Sequence, residues 1–338
     1  MTTKIKCFFI AIMWVLLLTA RSSVQAQQQP SLADFWEADL EWNFDSSYIA
    51  SVEGNSIQIR NAETIDLVQT LSGHTDRILD LEWGIQNYLI ASVSGDSTIR
   101  IWNAITGDNI RTIPVSTLPV SIIWHFNRQR VLVVTNPENA RLQEWEITTG
   151  NLVASHHIGF TADLVWNKSL SQLAYVTGGG SVGIVDADTF SQVASYRVPA
   201  YDRYFTNGML HALSYNHTGT KLVTGSIDGT IYIWELSTGE ILHFLEGNDN
   251  YVPSQIGLTN PLHTWVRDIA FNSDGTKLAA ISGDGTIRVW DAESGEVLET
   301  TLLNTIVYSA AFSPNGQHIA FADEAGLVQV VASPSQFR

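Results

Sequence analysis

Cysteine is nearly absent from this chain: Cys7 is the only one among 338 residues. It precedes an apolar run instead of ending it, which places it badly for a lipid-modified N-terminus. One thiol can form no intrachain disulfide and no cysteine-based metal site. Positive charge is also scarce. The 18 Lys and Arg face 34 Asp and Glu, for a formal charge of −16. Such a surface repels phosphate backbones and anionic headgroups, so neither nucleic acid nor a membrane surface is an expected partner. Long apolar runs are missing too. Residues 7–20 form the only one of note, short of the ~20 residues that cross a bilayer as a helix.

That run has the flanks of an export signal. Lys4 and Lys6 precede it, and Arg21-Ser22-Ser23-Val24-Gln25-Ala26 follows, with small residues ahead of a cut after Ala26. Residues 1–26 therefore read as a secretory signal peptide. The mature chain is expected to be secreted or periplasmic, the alternative being an uncleaved anchor. Cleavage would remove Cys7, so the mature protein has no thiol. It also removes Lys4, Lys6 and Arg21 and no acidic residue, moving the formal charge from −16 to −19.

What the chain does have is a recurring phrase. Ser94-Gly95-Asp96-Ser97-Thr98-Ile99-Arg100-Ile101-Trp102-Asn103 returns as Ser226-Ile227-Asp228-Gly229-Thr230-Ile231-Tyr232-Ile233-Trp234-Glu235. It returns again as Ser282-Gly283-Asp284-Gly285-Thr286-Ile287-Arg288-Val289-Trp290-Asp291. Each copy is a polar turn containing Asp, then an alternating β-branched run that ends in Trp. Weaker copies surround Arg60, Trp145, Val185 and Val331. Aligned at the Trp position, the seven phrases are spaced by 42, 43, 40, 49, 56 and 41 residues. A period in the low forties with a Trp-Asp phrase marks four-stranded propeller blades. Between phrases, each unit holds an inner strand ending in an aromatic (Trp42, Trp83, Trp124, Trp166, Tyr215, Phe271, Phe312). Turns such as Ser273-Asp274-Gly275 and Ser313-Pro314-Asn315-Gly316 follow, with Gly supplying positive φ. No long stretch of the mature chain shows helical periodicity.

On these motifs the chain resembles the WD-repeat β-propeller family over residues 36–332. The fold class expected is all-β, a seven-bladed β-propeller of four-stranded antiparallel blades. Residues 27–338 form one domain, with blades near 36–71, 72–114, 115–156, 157–199, 206–246, 262–303 and 304–332. The Gly73-His74 pair before the inner strand of the second blade strengthens the resemblance. It implies a buried hydrogen-bonded tetrad of His74, a serine (Ser92 or Ser94), Asp96 and Trp102, structural and not catalytic. Arg60, Val185 and Val331 replace Trp in blades one, four and seven, which are expected to rely on packing alone. In this family the ring is usually closed by an N-terminal strand. Here residues 30–36 are the available donor, because Pro334 makes the C-terminal tail a poor outer strand.

Chemistry-bearing constellations are few. Gly179-Gly180-Ser181-Val182-Gly183 matches a nucleophile elbow on paper, but that motif needs a helix after its turn and here a strand follows. No His-Glu-x-x-His, phosphate-cradling Gly loop or calcium loop occurs. No catalytic residue, metal ligand or cofactor is assigned, and the chain reads as a non-enzyme. His156-His157 reads as a solvated edge. Asn167-Lys168-Ser169 and Asn216-His217-Thr218 fit the glycosylation pattern, which chance also produces. Asp39, Asp80, Asp163 and Asp268 share one inner-strand position with Ser121, Ala212 and Ser309. They could ring the axial channel, either as a cation site or as a solvated wall.

The two long spacings carry the functional expectation. They hold residues 199–208 and 246–261, both between an outer strand and the next inner strand, on one mouth around blade five. Arg203, Tyr204, Phe205, Tyr251 and Trp265 are the expected anchors for a protein or peptide partner, since aromatics and Arg dominate interface energetics. The bland alternative is long loops that pack on themselves. The competing function is a propeller enzyme or a small-ligand or cation binder using the axial channel. Intact mass of the exported protein tests the export reading: a chain beginning near Gln27 is expected, and retention of residues 1–26 refutes cleavage.

Overall fold

A computed structural model describes residues 39–85, 88–126, 129–135, 140–158, 161–167, 169–177, 180–198, 210–246, 265–323 and 325–337. These residues form 27 strands and no helix. The strands make seven antiparallel sheets, each pairing its strands in chain order. The molecule is a seven-bladed β-propeller, and each blade is a meander from axis to rim. Six sheets have four strands; among the described residues the seventh has three, Val307–Phe312, His318–Asp323 and Val328–Ala332. The expected closing segment, residues 30–36, lies outside the described residues.

The sequence pattern explains the radial gradient of burial. Inner strands are β-branched and aromatic, and Pro119–Trp124 is buried along its whole length. Outer strands alternate, so Gln192–Arg197 is half in solvent. Hairpins turn where glycine can take positive φ, as at Gly275 (φ 76°) and Gly316 (φ 71°). The core lies between blades and not within them. Val120, Ile123 and Leu132 of blade three pack with Leu164, Trp166 and Leu173 of blade four. The seam between blades seven and one is leaner: among the described residues Leu40, Trp42 and Ile49 cluster with Ala311 and Ala320 as buried partners, and Val328 and Val330 add partly buried contact.

The aromatics that end the inner strands do more than fill space. Four of them are Trp, and each indole N–H donates to a backbone carbonyl of the preceding blade. Trp42 reaches Ala311 O at 2.9 Å, across the ring closure. Trp83 reaches Glu41 O at 3.2 Å, Trp124 reaches Glu82 O at 2.9 Å, and Trp166 reaches Trp124 O at 2.7 Å. Blades one and four, which lack the tetrad Trp, are therefore tied by hydrogen bonds as well as packing. Tyr215, Phe271 and Phe312 have no indole to offer.

The C-terminal tail is not an outer strand. It turns back so that Phe337, 1% exposed, packs on Phe312 with ring centroids 5.2 Å apart. Ser335 Oγ and Gln336 N donate to Glu299 Oε2 of blade six at 3.1 and 2.9 Å.

Trp42→Phe keeps most of the packing and removes one donor, leaving Ala311 O unpaired in a lean seam. A loss of about 1 kcal/mol is expected, measured by the denaturant midpoint. An unchanged midpoint would show that the indole bond does not hold the closure.

Candidate functional site

The second blade brings its four implied residues together. Trp102 Nε1 donates to Ser92 Oγ at 2.9 Å, and Ser92 Oγ lies 2.8 Å from His74 Nε2. His74 Nδ1 lies 2.9 Å from Asp96 Oδ2. Ser92, not Ser94, is the serine; Ser94 Oγ instead donates to Asp76 O at 2.9 Å. Burial lowers the His74 pKa in spite of Asp96, so the imidazole is neutral near pH 7. One direction of donation then satisfies every atom: Trp102 N–H to Ser92, Ser92 O–H to Nε2, and Nδ1–H to Asp96. Burial pushes the Asp96 pKa up, but the Thr98 hydroxyl, the Thr75 N–H and His74 outweigh it and hold Asp96 at about 2. Ser92 and His74 are 0% and 3% exposed, so their polar atoms are spent on one another and on Trp102 and Asp96 inside the blade.

Other blades solve the same problem with residues that sequence reading missed. Trp234 Nε1 donates to Thr224 Oγ1 at 3.0 Å, ten residues before it as in blade two. Trp145 donates to Gln143 Oε1 of its own strand at 3.2 Å. The periodicity could have found Thr224, which aligns with Ser92, whereas Gln143 has no counterpart in the repeat.

The inner-strand aspartates are not a solvated wall. Asp39, Asp80, Asp163 and Asp268 are 4%, 1%, 2% and 0% exposed. Each sends one carboxylate oxygen to a backbone N–H of the next blade. Asp39 takes Leu81 at 3.3 Å, Asp80 takes Ile122 at 2.8 Å, Asp163 takes Leu213 at 3.1 Å and Asp268 takes Phe312 at 2.9 Å. Oxygens turned into backbone bonds are poorly placed to gather around an axial cation. Among the described residues no group of three or more His, Cys, Asp or Glu is placed to hold a metal ion.

Of the expected binding anchors, Arg203, Tyr204, Phe205 and Tyr251 lie outside the described residues. Trp265 is described, and it is a buried ring instead of an open anchor: it is 5% exposed, with the Arg267 guanidinium 5.2 Å from its ring centroid. His156 is likewise more than an edge residue, stacking on Phe190 at 4.7 Å. Asn167 is 2% exposed and donates to Gly219 O at 2.9 Å, so the folded chain cannot offer it for glycosylation.

Asp96→Ala leaves His74 and the Thr75 N–H without their acceptor and should cost about 1–3 kcal/mol. Because the folded pKa is depressed, the Asp96 contribution is complete above the unfolded value of about 4 and is lost as pH falls through about 2. Asp96→Asn should therefore flatten the acid limb of the melting profile. A loss smaller than for an equivalent change in blade seven, which lacks the tetrad Trp, would contradict the tetrad argument.

Three segments, residues 65–103, 203–235 and 257–291, match the model of the WD domain, G-beta repeat. Eukaryotic translation initiation factor 3 subunit I of Bombyx mori is 21% identical over 274 residues, covering 79% of this chain and 78% of that protein. Nuclear distribution protein nudF of Aspergillus niger is 24% identical, covering 76% of this chain and 59% of that protein. The guanine nucleotide-binding protein subunit beta of Oryza sativa subsp. indica is 25% identical, covering 77% and 69%. The chain is thus a seven-bladed β-propeller with a complete tetrad in its second blade, three segments that match WD repeats, and similarity to proteins of the WD-repeat kind.

Proposed function

We propose that the chain is a non-enzymatic, extracytoplasmic scaffold that binds a protein or peptide at the mouth from which its two long connections leave. The observation that carries this reading is topological. The connections from Gln192–Arg197 to Leu210–Tyr215 and from Glu240–Glu246 to Val266–Phe271 both join an outer strand to the next inner strand. Antiparallel meanders send every such connection to the same mouth, so the two flank blade five on one side. Arg203, Tyr204, Phe205 and Tyr251 fall within them, and these are the residue types that make interface hot spots. A frame ordered before binding spares the complex part of the ordering cost.

The relatives support interaction over catalysis, since their names describe subunits and a distribution protein, not enzymes. The extracytoplasmic placement rests on the signal-like pattern of residues 1–26. An axial-channel ligand is the weaker reading, because the channel carboxylates already accept backbone N–H groups.

Affinity capture with the mature protein, set against a version lacking residues 199–208, identifies a partner that depends on the mouth. Tyr204→Ala and Tyr251→Ala should then weaken that partner by at least about 2 kcal/mol, roughly thirtyfold, with melting temperature unchanged. Unchanged affinity with a lowered melting temperature would make the connections structural.

A further inference from the structure

Five residues after the Trp position of the repeat phrase, six blades turn toward their outer strand at a residue of positive φ. In the blades that keep the indole this residue is glycine. Gly107 follows Trp102, Gly150 follows Trp145, Gly239 follows Trp234 and Gly295 follows Trp290, with φ of 81°, 79°, 74° and 74°. Where the indole is missing, the glycine is missing too. Blade one has Arg60 at the Trp position and Ile65 at φ 62°; blade four has Val185 and Phe190 at φ 53°. A bulky or β-branched side chain is strained in this region. The turn itself does not ask for one, since four blades make it with glycine.

Packing shows what the strain is exchanged for. Blade two meets blade one through Leu81, Trp83, Ile90, Trp102 and Ala104. Blade four repeats this set against blade three as Leu164, Trp166, Leu173, Val185 and Ala187, and adds Phe190. Ring stacking locates the addition. His156 and Tyr196 hold equivalent places on the outer strands of blades three and four, paired with Leu142 and Val182. Tyr196 stacks on Trp234 of the next blade, with centroids 6.1 Å apart and planes at 25°. His156 stacks on Phe190 of the next blade, at 4.7 Å and 27°. One outer-strand position thus covers an indole in one seam and a turn phenyl in the other. The two cannot easily coexist: a Cβ on Gly239 would stand 2.5 Å from the Tyr196 ring that covers Trp234. Ile65 packs, partly buried, on the cluster of Leu40, Trp42 and Ile49. In blade seven, with Val331 at the Trp position, Phe337 six residues on is buried with Ile319 and Phe321 against blade six.

We propose that Ile65, Phe190 and Phe337 are plugs, side chains from beyond the third strand that fill the space the missing indole leaves between blades. The ring then meets one packing requirement in two ways. An indole in the strand goes with glycine in the turn, and a residue other than Trp in the strand goes with a large apolar side chain after it. In blade one the replacing residue also braces the plug, because Arg60 Nη1 donates to Ile65 O at 3.3 Å. In blade seven the plug is tied down by the bonds of Ser335 and Gln336 to Glu299. Burial of the plug holds each strained turn of blades one and four in place, so the turn and the seam are one conformational unit: withdrawing the side chain relaxes φ and opens the seam together.

The sign of one substitution tests this, read as the melting temperature of the full chain. For an incidental turn residue, Phe190→Gly removes a positive-φ strain and raises the melting temperature. For a plug it empties a buried phenyl site and lowers the melting temperature by roughly 5–10 °C. Val185→Phe alone should also lower it, by crowding Phe190. Val185→Phe combined with Phe190→Gly should melt above either single variant, because the ring moves back to the strand position and the turn regains its glycine. An unchanged or raised melting temperature in Phe190→Gly would overturn the proposal, and so would losses that simply add in the double variant. If Phe190→Gly does not fold, Ile65→Gly decides by the same sign with a smaller fall.

Discussion

An inner strand in a ring of separate sheets has no backbone partner in the next sheet, so whatever makes the molecule one body crosses the seams through side chains. Two repeating bonds do this here. A carboxylate of one blade accepts a backbone N–H of the next, as Asp163 does from Leu213 at 3.1 Å. An indole of the next blade donates back to a carbonyl of the first, as Trp124 does to Glu82 at 2.9 Å. Each satisfies a buried backbone group that the sheet leaves without a ladder partner, where an unmade bond would cost more than a made one contributes. The Asp bond sits toward the mouth where inner strands begin and the indole bond toward the mouth where they end.

The two bonds are unevenly dealt. The seams of blades one with two and two with three have both kinds. Ala212 offers no acceptor and Phe271 no donor, so neither kind can form between blades five and six. Closeness compensates there: a Cβ on Gly225 would stand 2.6 Å from Val266 Cγ1, and only glycine lets the inner strand of blade six lie that near. Contact of this type is shape-dependent and non-directional. It is also the seam reached through the longest connection between strands, from Glu246 to Val266, so the ring concentrates directed bonds away from that connection.

The fold was legible because its signals are local. A turn Asp, a β-branched run and a Trp at a fixed interval define a blade whatever surrounds it, and the tetrad was legible for the same reason, given His74 in its Gly-His pair. The bridges were only half legible. Strand alternation put Asp39, Asp80, Asp163 and Asp268 on one face, but sequence does not say whether a carboxylate at that position meets water or the next blade. The indoles of Trp42, Trp83, Trp124 and Trp166 read as aromatic punctuation, since their acceptors are backbone carbonyls that no side-chain pattern reveals. Phe337 was hidden behind Pro334, which excludes a strand without announcing a return to the core. Trp265 misled because a large aromatic beside a long insertion looks the same in sequence whether it stands in solvent or packs beneath Arg267.

These levels differ in what they can give up. The tetrad is internal to one blade, so its loss elsewhere, with Val185 or Val331 in place of Trp, is absorbed by that blade's own packing and by its neighbours' bridges. A seam bond serves two blades at once, and losing it weakens a closed ring that has no second path around the gap. Buried acids are expensive unless they find donors, yet blades one and two retain Asp39, Asp80 and Glu82 buried on their inner strands. Leu40, Leu81 and Ile122 supply backbone N–H groups to the two aspartates, and Trp83 supplies one to Glu41, so the seam turns these acids into links between blades.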